Sequence, residues 1–421
     1  MNLFVLSWSY IKTKPLNTFL NILLLSLGIA IITVLLLLSR QMEDSLTRNS
    51  KGIDLVVGAK GSPMQIILSS VFHIDYPTGN IPLSEAKQLT RNRLIRNTIP
   101  LALGDSYKGK RIIGTNYDYL SLYEAEVAEG NKWSETMEVV LGASAAEQLK
   151  LKIGDTFNSS HGLADDGINT HEESPFKVVG ILAPTQSVVD NLILTSIESV
   201  WEVHASHETE DGEDQEHEHK HEDEHKTAEV TTEGLPEGGS DEQITSLIVQ
   251  YRSPMAAVQL PRYINERTNM QAASPPFETA RLFSLVGVGI DLLQAFAYLI
   301  IIIAGLSIFI ALYNALKERK YDLAIMRSLG ASRIKLFVHV ILEGLIITLL
   351  GSILGLFLAH LTSALLGEYF IQTSQIGLSA WNILTEEYFV LLASLGVGFL
   401  AALIPAINAY RSNISSVLSQ G

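Results

Sequence analysis

Leu292-Leu-Gln-Ala-Phe-Ala-Tyr-Leu-Ile-Ile-Ile-Ile-Ala-Gly-Leu-Ser-Ile-Phe-Ile-Ala-Leu-Tyr-Asn-Ala-Leu316 carries no charged residue. It is longer than the roughly 20 residues that a helix needs to cross a bilayer. Three further stretches have the same character: Pro15 to Ser39, Gly344 to Gly367 and Tyr388 to Tyr410. Across the 421 residues 47% are hydrophobic and only 18% charged, against about a quarter in soluble proteins. A wholly soluble enzyme is excluded.

Working outward, Lys317 to Lys335 holds six basic residues: Lys317, Arg319, Lys320, Arg327, Arg333 and Lys335. The connection from Glu368 to Glu387 holds none. Short basic loops stay cytoplasmic, so both termini are expected inside, in agreement with Lys12, Lys14 and Arg411. Ahead of the first span, Leu3, Phe4, Leu6, Trp8, Tyr10 and Ile11 suit a helix lying among lipid headgroups. The apolar run from Ile22 to Leu38 is longer than a secretory signal core and ends in Leu38-Ser-Arg-Gln41, which has no small-residue cleavage pattern. An uncleaved anchor is expected.

The chain divides into an interfacial N-terminal helix (1–15), a first span (16–39), an extracytoplasmic α+β domain (40–281), a stalk and second span (282–316) and a cytoplasmic segment (317–333). A third span (334–367), an extracytoplasmic loop (368–387), a fourth span (388–410) and a cytoplasmic tail (411–421) follow. The fold class is an α-helical membrane protein with four transmembrane helices and an α+β extracytoplasmic domain inserted between the first two. In that domain the β-rich runs are Ile53 to Val57, Arg111 to Ile113, Phe176 to Leu182, Asn191 to Thr195 and Ile244 to Tyr251. They alternate with helix-like Ser84 to Arg96 and Ala143 to Lys150. Apolar Arg281 to Ile290 predicts a helical stalk ahead of the second span, with Arg40 to Asn49 as its partner.

Net charge is −15, but His204 to Glu242 holds 15 acidic residues against two lysines, a net of −13. One segment sets the acidity. Thr209 to Ser240 has almost no large apolar residue, and an unfolded loop over 204–242 is expected. Six histidines lie there: His204, His207, His217, His219, His221 and His225. Imidazole beside carboxylates suits Zn²⁺, Cu²⁺ or Ni²⁺. A solvated low-complexity linker explains the same composition, and the two readings stay open. The absence of cysteine removes disulfides and thiolate metal sites.

The run Glu318-Arg-Lys-Tyr-Asp-Leu-Ala-Ile-Met-Arg-Ser-Leu-Gly-Ala-Ser332, followed by Glu343, closely resembles the signature of FtsX/MacB-type permeases of ABC transporters, with Asp322 where the family more often has Glu. The tail Ala402-Leu-Ile-Pro-Ala-Ile-Asn-Ala-Tyr-Arg411 resembles the family's closing pattern, and Ile407 and Asn408 replace residues that are often basic. Val139 to Asp155 and Phe176 to Leu182 resemble the family's periplasmic core domain.

The resemblance implies that Glu318, Arg319, Asp322, Arg327, Gly330, Ala331 and Glu343 couple the chain to a cytoplasmic ABC ATPase subunit. It also implies a homodimer or a heterodimer with a related permease, in a bacterial inner membrane, relaying ATP-driven movement to the outer domain. Efflux or lipoprotein and envelope-substrate extrusion is the leading function. A zinc-linked system and non-transport control of an envelope partner are the alternatives.

Periplasmic or outer-membrane partners and lipid are expected, nucleic acid is not. No intrinsic cofactor or catalytic residue is expected, ATP acts through the partner, and Zn²⁺ at the histidines belongs to one of the two readings left open. Val57-Gly-Ala-Lys-Gly-Ser62 lacks the spacing by which a G-x-x-x-x-G-K-[ST] loop cradles phosphates. Within the four uncharged stretches His360 is the one ionisable residue, read as a packed or interface side chain. Gly351 and Gly355 suit close helix packing.

The topology makes a direct prediction. In intact spheroplasts, an impermeant thiol reagent should label Ser206→Cys and leave Ser332→Cys untouched. The reverse pattern refutes the orientation.

Overall fold

The computed structural model describes residues 3–160, 175–210, 230–239, 242–373 and 383–411. They form two compact units, one from the segments before Glu43 and after Ser284, the other from Asp44 to Phe283. The chain starts with α1 (Leu3–Ile11) and, after a short turn, α2 (Pro15–Ser50). Pro15 occupies the first helical position, where its missing N–H has no intrahelical partner to lose. Arg40 to Asn49 continues this helix, as the stalk expectation required.

The inserted unit contains β1 (Leu55–Ala59), α3 (Pro63–Ser70), β2 (Ile81–Pro82), α4 (Leu83–Thr90), β3 (Ile95–Tyr107), β4 (Lys110–Gly114), α5 (Tyr117–Leu122), β5 (Val127–Gly130) and β6 (Glu138–Leu141). It continues with α6 (Ala143–Leu149), β7 (Thr156–Phe157), β8 (Phe176–Leu182), β9 (Ile193–Thr195), α7 (Ile197–Glu210), β10 (Gln243–Ile244), β11 (Ser246–Tyr251), α8 (Ala256–Arg267) and β12 (Met270–Ala273). The main sheet runs β12-β1-β11-β3-β4-β9-β6-β8-β5, with β7 beside β8, and β10 pairs with β2 separately. The β4–β9 and β6–β8 pairs are parallel and the other pairs antiparallel.

The long strand β3 joins the two halves of this sheet. Its first part pairs with β11 from Ile95 to Leu101, its second with β4 from Ala102 to Tyr107. One apolar core gathers Leu55, Leu83, Leu89, Leu247, Leu260 and Ile264. A second gathers Ile112, Leu141, Phe157, Phe176, Val178 and Ile193. The marked stretch from Val139 begins as strand β6 and turns at Gly142 into α6, a turn that only glycine fits. A Cβ there would stand 2.1 Å from the Val189 carbonyl oxygen.

Two expectations need correction. Ser84 to Arg96 is not one helix, because α4 ends at Thr90 and Ile95 already opens β3. The expected loop over 204–242 is also shorter. α7 extends to Glu210, and residues 230–239 are fastened to the domain. Thr231 N donates to Glu198 Oε1 at 3.1 Å, Asn116 Nδ2 to the Gly234 carbonyl at 2.9 Å, and Tyr117 N to the Thr232 carbonyl at 2.9 Å. Leu235, partly buried, also packs against the first apolar core, so these hydrogen bonds and one apolar side chain together offset the ordering entropy.

The other unit adds α9 (Pro275–Glu318), α10 (Lys320–Ser328), α11 (Arg333–Thr373) and α12 (Thr385–Arg411) to α1 and α2. Among the described residues, four helices are long and apolar enough to cross a membrane: α2, α9, α11 and α12. Their packing uses small residues and hydroxyls, as membrane helices do. At Gly351 a Cβ would come within 3.0 Å of Leu25, and at Gly355 within 2.8 Å of Ile29 and of the Ser26 carbonyl, so this pair lets α11 lie against α2. Ser307 Oγ donates to Asn21 Oδ1 at 2.6 Å, and Ser352 and Ser394 share a hydrogen bond of 2.6 Å.

A buried polar chain roots α2 in the inserted unit. Asn49 Oδ1 accepts from Val188 N at 2.9 Å, and the Asn49 carbonyl accepts from Tyr123 Oη at 2.9 Å. The Tyr123 ring meets Tyr119 edge-on at 5.1 Å, and Tyr119 Oη lies 2.9 Å from Nε2 of His73. His73 is 1% exposed. Burial, followed by the Arg111 charge, pushes its pKa down from 6.5 to about 3.

Between those values the unfolded imidazole binds a proton that the folded one refuses. This contribution is therefore complete above about pH 6.5 and declines as pH falls toward 3. From pH 7 to 5 the loss from this one group is about 2 kcal/mol. Thermal unfolding of the full chain in detergent should show it, and His73→Asn, tolerant of the left-handed backbone at this position (φ 53°), should flatten the slope. Equal slopes in the two proteins refute a neutral buried imidazole.

Candidate functional site

The charged run after the second span becomes a helix held between two shaped turns. α9 ends at Glu318 and Arg319 breaks the helix before α10. At the far end Gly330 N donates to the Arg327 carbonyl and Ala331 N to the Met326 carbonyl, both at 3.0 Å. This double closure needs a left-handed residue just beyond the helix, and Gly330 supplies φ 98°. Ser332 then caps α11, its Oγ accepting from Lys335 N at 3.3 Å. Leu-Gly-Ala-Ser from 329 to 332 thus encodes the end of one helix and the start of the next.

The sequence-selected residues separate into two groups. Arg319 turns inward: Nη1 donates to Glu343 Oε1 at 3.4 Å and Nη2 to Thr13 Oγ1 at 2.9 Å. Nη2 also approaches the Tyr10 carbonyl at 3.3 Å, and the guanidinium lies over the Tyr10 ring at 4.1 Å. Both Arg319 and Glu343 are mostly buried. Lys14 and Glu318 form an exposed ion pair beside them. Asp322 turns outward with Tyr321, Ile325 and Leu329, the last of these 83% exposed, while Leu323 and Ala324 are buried. Gly330 and Ala331 shape the turn.

This corrects one expectation. Arg319 was read as part of a docking face, but it is an internal tie between α9, α11 and the N-terminal segment. Of the apolar side chains of α10 and its C-terminal cap, Leu323 packs inside while Ile325 and Leu329 stay exposed.

Sequence reasoning missed the N-terminal partners. Ser7 Oγ lies 2.7 Å from Nδ1 of His339, and the Tyr10 and His339 rings are 5.4 Å apart. The signal available was that Ser7, Tyr10 and Thr13 recur every third residue. His360 is also paired, with Nε2 3.1 Å from Glu387 Oε2. Glu387 belongs to the first turn of α12, not to a preceding loop, and neighbouring Glu386 accepts from Arg40 Nη2 at 2.8 Å.

His217, His219, His221 and His225 lie outside the described residues. His204 and His207 lie on the last part of α7. Among the described residues no group of three or more His, Asp or Glu side chains is placed to hold a metal.

Residues 18–260 match the MacB-like periplasmic core domain, and residues 295–414 match the FtsX-like permease C-terminal family. The first match alone spans more than half of the chain, which belongs to the FtsX/MacB-type permeases, the membrane components of ABC transporters. The periplasmic region of MacB from Actinobacillus actinomycetemcomitans is similar at 12% identity and a TM-score of 0.33, covering 56% of this chain and 97% of that one. The extracellular domain of the noncanonic ABC-type transporter YknZ from Gram-positive bacteria is similar at 12% identity and a TM-score of 0.29, covering 53% and 99%. No curated protein matches the chain.

Removing the Arg319 guanidinium would leave Glu343 buried beside no cation, a change that costs about 3–5 kcal/mol. Arg319→Ala should therefore lower the thermal midpoint of the detergent-purified chain sharply, and Asp322→Ala, on the exposed face, should shift it little. Equal shifts in the two variants would show that Arg319 is not a structural tie.

Proposed function

We propose that the chain is the permease subunit of a bacterial ABC system in the inner membrane, with both termini and α10 in the cytoplasm. A separate ATPase subunit docks on the outward face of α10 and hydrolyses ATP. Two permease copies, or this chain and a related permease, work together and move an envelope substrate outward, as in efflux or lipoprotein extrusion.

The observation that carries this reading is the division of labour within one short helix. Arg319 and Leu323 fix α10 to the membrane helices, while Tyr321, Asp322, Ile325 and Leu329 stay exposed. A leucine left almost fully in water beside a carboxylate and an aromatic ring suits a partner surface. A helix so fixed passes a push from its partner to α9 and α11 instead of bending away. α2 and α9 are the continuous helices that join the two units in sequence.

Co-expression with its partner ABC ATPase tests the reading. Leu329→Glu and Asp322→Arg should each reduce permease-stimulated ATP hydrolysis by about tenfold, as loss of a central interface contact does, with the thermal midpoint of the permease unchanged. Full stimulation in both variants would exclude this face as the docking surface.

A further inference from the structure

Strand β4 carries a guanidinium that lacks what such a group needs. Arg111 is 6% exposed. Its Nε and Nη2 are shut off from solvent and meet no hydrogen-bond acceptor. These two nitrogens lie along one edge of the guanidinium, the edge that engages two oxygens of a carboxylate or phosphate side by side. A cation buried without an acceptor is costly, so a fold that keeps one invites the missing anion.

The surrounding side chains do not supply it. Asp75 acts on Arg111 through its charge, as does Tyr76, while burial pulls the guanidinium below its ordinary range. Yet the Asp75 carboxylate is turned to its own loop, Oδ1 accepting from Tyr76 N at 2.8 Å. His73, which also feels the Arg111 charge, is held by Tyr119 and the Ser69 backbone and, as a neutral imidazole, offers no anion.

What covers Arg111 is the Tyr76 ring, with its centroid 5.5 Å from Cζ. Tyr76 is 55% exposed, so this ring lies between the buried Arg111 and the surface of the domain. The backbone beneath that ring is fastened, Gln65 Nε2 donating to the Tyr76 carbonyl at 3.1 Å. The movement that would open the site is therefore a rotation of the side chain with the backbone in place.

We propose that Arg111 anchors an oxyanion-binding site in the inserted domain, where a carboxylate or phosphate group of a ligand takes the Nε–Nη2 edge once the Tyr76 ring swings aside. The site stands independently of ATPase docking at α10, and a failure of either leaves the other intact.

Calorimetric titration of the full chain in a neutral detergent, at fixed ionic strength and neutral pH, tests it with inorganic phosphate and succinate as separate probes. At least one probe should give saturable heat; phosphate alone assigns the site to phosphoryl groups and succinate alone to carboxylates. Tyr76→Ala should bind the same probe about tenfold more tightly, because no ring has to be displaced. Arg111→Met, which keeps the length of the arm, should weaken binding by at least about tenfold. Arg262→Met, which removes an exposed guanidinium paired with Glu266, should leave it unchanged.

If Arg111→Met does not fold, Arg111→Lys replaces it with the same expectation, since lysine keeps the charge and loses the two-nitrogen edge. Absence of saturable heat from both probes in the wild type and in Tyr76→Ala overturns the proposal. So does binding that the Arg111 variant retains.

Discussion

A guanidinium taken out of water must find oxygen acceptors, and Arg319 meets this demand with groups from opposite ends of the chain. Glu343 comes from α11, while Thr13 and the Tyr10 carbonyl come from the N-terminal segment. Because the fork of Arg319 has fixed geometry, its partners are fixed with it. The end of α9 and the start of α11 are thereby held together, and α1 is drawn against α11 through Ser7 and His339. The N-terminal segment is thus more than a lipid anchor: its Tyr10 ring and Thr13 hydroxyl complete the site of a cation 300 residues away.

The inserted domain solves a different problem, the joining of two small cores into one body. β3 does this by changing partners along its length, from β11 to β4, with an irregular register between Leu103 and Ser106. Pro100 and Gly104 lie in that strand. Pro100 gives up an N–H, but its carbonyl accepts from Thr115 Oγ1 at 2.9 Å. Gly104 allows close approach, since a Cβ there would stand 3.3 Å from both the Ile112 carbonyl and Val200.

These same residues explain what could be read from the sequence. The four membrane helices were legible because lipid offers no partner to the backbone, so long uncharged runs have few other uses. β8 and α6 were legible because each is a short element of uniform pattern bounded by turns. β3 was not: Pro100 and Gly104 interrupt the strand pattern, and the helical spacing of Ser84 to Thr90 ran on visually into Arg96. At the site, the motif marked Arg319 and Glu343 as a set with Asp322 and Arg327. It could not show that the first two point inward, because that depends on Tyr10 and Thr13, whose proximity is purely tertiary. The pairing of His360 with Glu387 was hidden for the same reason.

The placement of charge within the membrane unit bears on what such a bundle can do. Lys14 with Glu318 and Arg319 with Glu343 hold the helices at the α10 end, while Arg40 with Glu386 and His360 with Glu387 hold them at the other. Between these ties the described helix contacts are of another kind: Ser307 with Asn21, Ser352 with Ser394, and glycines against Leu25 and Ile29. Interhelical hydrogen bonds of that sort are worth about 0.6 kcal/mol on average. Around them Leu25, Ile29, Ile308, Leu312, Val340 and Ile347 pack as one buried apolar cluster. The ionised groups that tie these helices are thereby gathered toward the helix ends, and the middle of the bundle is held by neutral hydrogen bonds and packing.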